Sequence, residues 1–489
     1  MKIKTILYIL CSYTLIAQSS TQYSGYVHLY DIHRLSDRSI IHLPWRIFSL
    51  NVDHQRGDFA FNSTLAMEYK IREDDSFFSS SDPQEFTWDL RELYASWFTS
   101  FGEIKVGKQI QSWSSVDDNS PIDNINAYDY YYIFNLGSDR KYSSLGLTLD
   151  YYLNNTKLGF YYSPLHHTNR LPINDPEFPI QLPVTPRASQ IISPNNPDEY
   201  GITLQQKMNV ADLSFTYFSG YDRLFSLSGS NVFTNQFQTM SVLDTVFSFR
   251  KTDMIGAGIV IPTKWIILRA EYAQFSTFDN NDSTSISNKG PSRSFGSANE
   301  VFFSHAFETK AKYYQTILQL ETELPGGIEF IGQYFKYDTL SFDAEYLPDV
   351  DLPLLEAEFD PYSVFFPGMG TPLAIMANEA IIMIFNKSFL NEQLLFETLF
   401  LFDYSDFKYE SLKKLNTFQD VFDNINLLFD NLDGKGQLIE FKTTYDLSNS
   451  LKVVTALTHI TGNSKLDDDY TFNEMEDFSH IRFELKYFF

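Results

Sequence analysis

The stretch His480-Ile481-Arg482-Phe483-Glu484-Leu485-Lys486-Tyr487-Phe488-Phe489 decides the fold. Ile481, Phe483, Leu485, Tyr487 and Phe489 share one face of an extended chain, and Arg482, Glu484 and Lys486 share the other. A period of two that parts large apolar groups from charges describes a strand between a hydrocarbon side and a wet side.

The other end of the chain agrees with that reading. Lys2 and Lys4 precede an apolar run from Thr5 to Ile16, too short to span a bilayer, and Ala17-Gln18 is the expected cleavage region. Residues 1–17 are therefore read as a secretory signal, and 18–489 as one mature domain. The single cysteine, Cys11, falls inside the signal, which excludes a disulfide scaffold or a thiol enzyme. No later run of about 18 apolar residues predicts a transmembrane helix.

Composition narrows the class further. Hydrophobic content is an ordinary 43%, yet the chain carries 31 Tyr and 45 Phe. A barrel wall draws on aromatics for both its lipid face and its interfacial girdles. The formal charge is −25, and loss of Lys2 and Lys4 would take it to −27. A nucleic-acid partner needs a basic footprint and is excluded. The same surplus favours a cationic or neutral solute over an anion.

Together these features predict an all-β transmembrane barrel of the outer-membrane type, with a soluble sandwich as the rival that a single amphipathic strand cannot exclude. The closing strand resembles that of bacterial outer-membrane barrels, and Tyr487 and Phe489 then stand where the assembly signal does. That resemblance implies two partners, outer-membrane lipid and the barrel assembly machinery.

Alternation and turn chemistry predict 18 strands, with 16 as the other count. They are 22–34, 42–53, 59–71, 87–98, 103–112, 143–151, 155–164, 199–209 and 212–220. The rest are 241–261, 265–277, 311–323, 328–340, 375–385, 390–404, 436–446, 451–460 and 475–489. Tight turns such as Gln55-Arg56-Gly57-Asp58, Pro325-Gly326-Gly327 and Asn386-Lys387-Ser388 fall on the side of both termini. The long segments fall on the other side, so short turns and termini are expected in the periplasm and long loops outside. The stretch 241–261 is kept whole, and 418–430 is placed in a loop.

The segment from Leu90 to Phe134 carries a further resemblance. Leu90-Arg91-Glu92-Leu93-Tyr94, Gly102-Glu103-Ile104-Lys105-Val106-Gly107-Lys108-Gln109, Trp113 and Asp123-Asn124-Ile125-Asn126 lead into Tyr128, Tyr130, Tyr131 and Tyr132. This resembles a signature of a large family of bacterial outer-membrane barrels described as a domain of unknown function. Lys108, Ser114 and Asn126 depart from that pattern. In overall plan the chain also resembles substrate-selective porins, including those for anionic polysaccharide and phosphate. The resemblance implies a channel and no particular solute.

Candidate functional residues follow from the strand faces. Glu92 and Ser96 share a face, as do Glu103, Lys105 and Gln109, and Arg269 and Glu271. Opposed acids, bases and amides beside water are what a selectivity region needs. Arg91, Glu92, Lys105 and Lys108 read equally well as a cross-strand salt-bridge network. The segment 113–142, with Trp113, Asp117, Asp118, Asp123 and Asp129, is the one expected to fold inward and narrow the lumen. In 341–374 the acids Asp349, Asp351, Glu356 and Glu358 are weak Ca²⁺ candidates, because their spacing matches no EF-hand. No cofactor motif is present, no nucleophile sits in a G-x-S-x-G frame, and no enzyme is expected. The expected function is passive diffusion of a small polar solute, or surface binding by a barrel that does not conduct.

Overall fold

A computed structural model of the chain describes residues 19–70, 85–133, 138–173, 175–180, 186–234, 241–289, 301–347, 360–405, 435–463, 466 and 470–489. In chain order the strands are β1 (Ser19–Arg34), β2 (Pro44–Arg56), β3 (Phe59–Lys70), β4 (Phe86–Thr99), β5 (Gly102–Gln109) and β6 (Ser144–Leu153). Next come β7 (Thr156–Ser163), β8 (Ile191–Ile192), β9 (Glu199–Lys207), β10 (Asp212–Tyr221), β11 (Ser226–Thr234) and β12 (Ser241–Ser248). They continue as β13 (Lys251–Pro262), β14 (Ile266–Phe278), β15 (Val301–Ala306), β16 (Lys310–Leu324) and β17 (Ile328–Asp343). The last are β18 (Glu379–Phe389), β19 (Leu394–Asp403), β20 (Gln437–Ser448), β21 (Leu451–Thr461) and β22 (His480–Phe488).

Eighteen of these strands form one antiparallel sheet, and β22 pairs with β1 from Tyr26↔Phe488 to Arg34↔His480. That pairing closes the sheet and leaves it no free edge. Phe489 completes the closure, since its N–H donates to Gly25 O and its carbonyl accepts from Gly25 N, both at 3.1 Å. The outer face exposes large apolar groups, among them Phe215 (53%), Ile255 (68%), Leu318 (51%) and Phe441 (53%). Half-exposed side chains of that size all round a closed wall are stable only against hydrocarbon. The protein is a transmembrane β-barrel of the outer-membrane type.

All 18 expected strands correspond to wall strands, with three local corrections. The stretch 241–261 is two strands. β13 lies in the wall, whereas β12 joins β11, β15 and β8 in a separate four-stranded sheet. The break falls at Arg250, whose guanidinium turns in to Asp222. Because β11 and β12 both lie on the long-loop side, the order of short and long connections is kept. The second correction concerns the turn after β18. Asn386 and Ser388 lie within the ladder, opposite Glu397 and Leu395. The chain reverses later, where Leu390, Asn391 and Glu392 all take positive φ. Third, the first residues of two expected strands, 375–376 and 475–478, belong to helical turns over Leu373–Met376 and Thr471–Phe478. The stretch 418–430 lies outside the described residues.

Candidate functional site

The chain leaves β5 and turns into the barrel, where a small set of lumen-facing groups holds it. Trp113 is buried against β7 and β9, where a Cβ on Gly201 would come within 2.9 Å of its ring. Ser115 packs on β13 in the same way, 2.7 Å from the Cβ position of Gly258. Glycines in strand interiors often mark such close approach. Ser115 Oγ also meets Ser214 Oγ of β10 at 2.9 Å.

Glu271 of β14 is the main latch. Its carboxylate accepts from the backbone amides of Ser115 and Val116 and from the Ser120 hydroxyl, and it is 2% exposed. Further round the wall, Asp117 N donates to Gln319 Oε1 (3.0 Å) and Asn119 Nδ2 to Gln333 Oε1 (3.2 Å). The segment thus reaches from β5 across to β16 and β17. Within it, Asp123 pairs with Lys141, and Asp118 with Arg140 at 3.2 Å.

The next turn, Asp129 to Tyr132, is fixed to the β2–β3 wall. Asp129 meets Arg46 (3.0 Å) and Arg170 (3.3 Å), while Glu68 meets the same two arginines at 3.4 and 2.8 Å. Arg46 also lies 3.8 Å over the Tyr132 ring. Burial nevertheless pushes the Asp129 carboxyl up to about 6, so desolvation outweighs the arginines there.

Arg223, just after β10, ties together chains that are distant in sequence. It donates to Glu199 Oε1 and His167 O (both 2.8 Å) and to Asn124 O and Ile125 O (2.9 and 3.1 Å). His166 Nδ1 meets the same Glu199 oxygen at 2.9 Å. His167 accepts from Leu145 N at 3.1 Å, and burial followed by the Arg223 charge holds it down to about 4.

A second inward segment, 365–377, meets the first. Gly368 O accepts from Arg223 N (2.8 Å), Gly370 N donates to Asn124 Oδ1 (2.9 Å), and Thr371 N donates to Gln315 Oε1 (2.9 Å). In sequence, Gly368-Met369-Gly370 carries only turn chemistry. Its signal was weak, since the partners lie more than 50 residues away.

The remaining candidates are placed as follows. Glu103 and Lys105 pair at 3.6 Å. Gln109 is buried, donating to Gly146 O and accepting from Gln111 and Thr148. Glu92 accepts from Ile110 N at 2.9 Å, and Arg91 donates to Lys141 O at 3.0 Å. Arg269 pairs with Glu321 at 2.5 Å and with Asp117 at 3.9 Å. Lys108 is on the other face of β5 from Lys105 and donates to Leu90 O. Asp349, Asp351, Glu356 and Glu358 lie outside the described residues. Among the described residues no group of three or more His, Cys, Asp or Glu is arranged to hold a metal ion.

Two cavities lie between the inward segments and the β17–β22 wall. An upper cavity of about 190 Å³ has Ile331, Ile384 and Leu399 on one flank and Asp117, Asn119 and Arg140 on the other. A lower cavity of about 380 Å³ adjoins it, and both are bordered by Ile384, Leu399, Glu440 and Arg482. Charges in the lower one are mostly paired, as in Glu397–Lys442 (2.8 Å) and Arg482–Glu484 (2.7 Å). Lys486 instead lies 3.9 Å over the Tyr26 ring.

No protein-family model matches the chain, and no curated protein matches it. Among solved structures it is similar to Pseudomonas aeruginosa OccK8 (OprE), at 12% identity over 96% of this chain and 98% of that one, with a TM-score of 0.47. It is also similar to Acinetobacter baumannii OccAB3, at 10% identity over 96% and 99%, with a TM-score of 0.46. A third is Pseudomonas aeruginosa OpdK with vanillate, at 9% identity over 96% and 98%, with a TM-score of 0.47.

Proposed function

We propose that this barrel is a passive channel of the bacterial outer membrane for small hydrophilic solutes. Its short-turn rim and both termini would face the periplasm, and Tyr487 and Phe489 would be read by the assembly machinery. The observation that carries this reading is the pair of adjoining cavities between the inward segments and the β17–β22 wall. A wall of about 16 to 18 strands encloses more space than its own side chains fill. A solute there would trade part of its hydration for Asp117, Arg140, Glu440 and Arg482 while passing Ile384 and Leu399. Nothing in that process requires a bond to be made or broken.

A second reading, surface binding by a barrel that does not conduct, is favoured by one observation. The long-loop segments build a four-stranded sheet of their own outside the wall.

Single-channel recording in planar bilayers separates the two. Uniform open steps are expected from the refolded protein, and larger steps after 113–142 is shortened. Silence from protein that is folded, as judged by heat-modifiable migration, would favour the surface module.

A further inference from the structure

Between β1 and β2 the hydrogen-bond ladder breaks, and side chains fill the gap. Pairing of β1 with β2 runs from Ser19↔Arg56 to Val27↔Phe48 and stops. β1 continues to Arg34 against β22, while β2 bulges against β3 between Arg46 and Phe48. The two sides meet again only at the rim, where Ile41 N donates to Ile32 O at 2.9 Å. Between those points stand Tyr30 and Trp45, with ring centroids 4.9 Å apart. The Tyr30 hydroxyl is turned to the Leu43 and Tyr69 carbonyls at 3.1 and 3.2 Å, and Trp45 Nε1 donates to His28 Nδ1 at 3.0 Å.

Outside this break lies a groove of about 490 Å³, lined by Val27, Leu29, Phe48, Met67 and Trp88, with Tyr30 at its floor. It is continuous with the lipid-facing band, since Leu29 is 62% and Trp88 61% exposed. Its lining is almost wholly apolar, and the Tyr30 hydroxyl is committed to carbonyls. An unfilled apolar groove forfeits dispersion contacts, and a flexible hydrocarbon chain restores them.

We propose that the β1–β2 break is a binding site for one acyl chain of a membrane lipid, entered from the bilayer and floored by the Tyr30–Trp45 pair. Trp45 also borders the lower cavity with Tyr26 and His28, so the site lies one aromatic layer from the lumen. A polar ligand would meet an almost wholly apolar lining there and lose hydration without compensation.

The test uses the full protein refolded into vesicles containing phosphatidylcholine with a photoactivatable diazirine in its acyl chain. Cross-links are then mapped by mass spectrometry. Labelling of Tyr30, Phe48 and Met67 is expected to exceed that of the open band around Leu318 and Phe441. Filling the groove with Met67→Phe or Leu29→Phe is expected to abolish the excess and leave the band unchanged. Leu29→Phe sits on the open lipid face and keeps the test alive if Met67→Phe misfolds. Groove labelling no greater than that of the band, or unaffected by filling, would overturn the proposal.

Discussion

Arg223→Ala is expected to unfasten the inward segment and to cost the barrel about 3–5 kcal/mol of local stability, the range for removing one partner of a buried ion pair. Arg223 is 3% exposed, and Glu199 is fully buried beside it. Without the guanidinium, Glu199 keeps only His166 on its paired oxygen. Three carbonyls, of Asn124, Ile125 and His167, lose their donor at the same time. Arg223→Lys should fall between alanine and wild type. An ammonium can hold the carboxylate but cannot fork to carbonyls on two segments. The readouts are a lower heat-modification midpoint and noisier, larger conductance steps, ordered wild type, lysine, alanine. Equal midpoints for all three would show that Arg223 does not bear on the fold of this region.

Glu271→Ala is expected to release the turn at 115–120 from β14. Each buried donor left unpaired costs about 1–3 kcal/mol, and Glu271 serves two amides and a hydroxyl. Glu271→Gln keeps the size but turns one acceptor oxygen into a donor, so it should recover only part of the loss. The wall itself should survive, because β14 keeps its full ladders to β13 and β16. The expected signature is therefore local. Conductance rises and fluctuates, and amides of 115–120 exchange faster, while the β14 ladder stays protected. Protection at 115–120 equal to wild type would contradict the latch.

The fold was legible because the wall repeats one simple rule. Period-two alternation and turn residues such as Pro325-Gly326-Gly327 mark each hairpin without reference to the rest of the chain. Legibility failed where a local pattern has two uses. Ser241–Ser248 alternates like a wall strand but pairs with β11, and only topology decides between them. Asn386-Lys387-Ser388 has turn chemistry, yet the ladder runs on and the reversal falls at Leu390 to Gln393. The sequence of 113–142 displays aromatics and acids, but nothing local marks the groups that anchor Trp113 to Ser120. Arg223, Glu199 and Gln319 are ordinary residues until closure of the barrel brings them together. Gly256 and Gly258, two apart on one face of β13, were the overlooked signal, for they stand where Ile122 and Ser115 press on the wall.

Residues 113–120 lie inside the barrel against the β9–β17 wall, and a designed cross-link tests that placement most directly. Ser115 Oγ and Ser214 Oγ are 2.9 Å apart although 99 residues separate them. In protein refolded from residue 18, which lacks Cys11, the pair S115C and S214C should oxidise to one disulfide on folding. It would appear as a faster band on a non-reducing gel, with heat-modifiable migration retained. Folded protein whose two thiols stay free under mild oxidant would place the segment elsewhere and contradict the account.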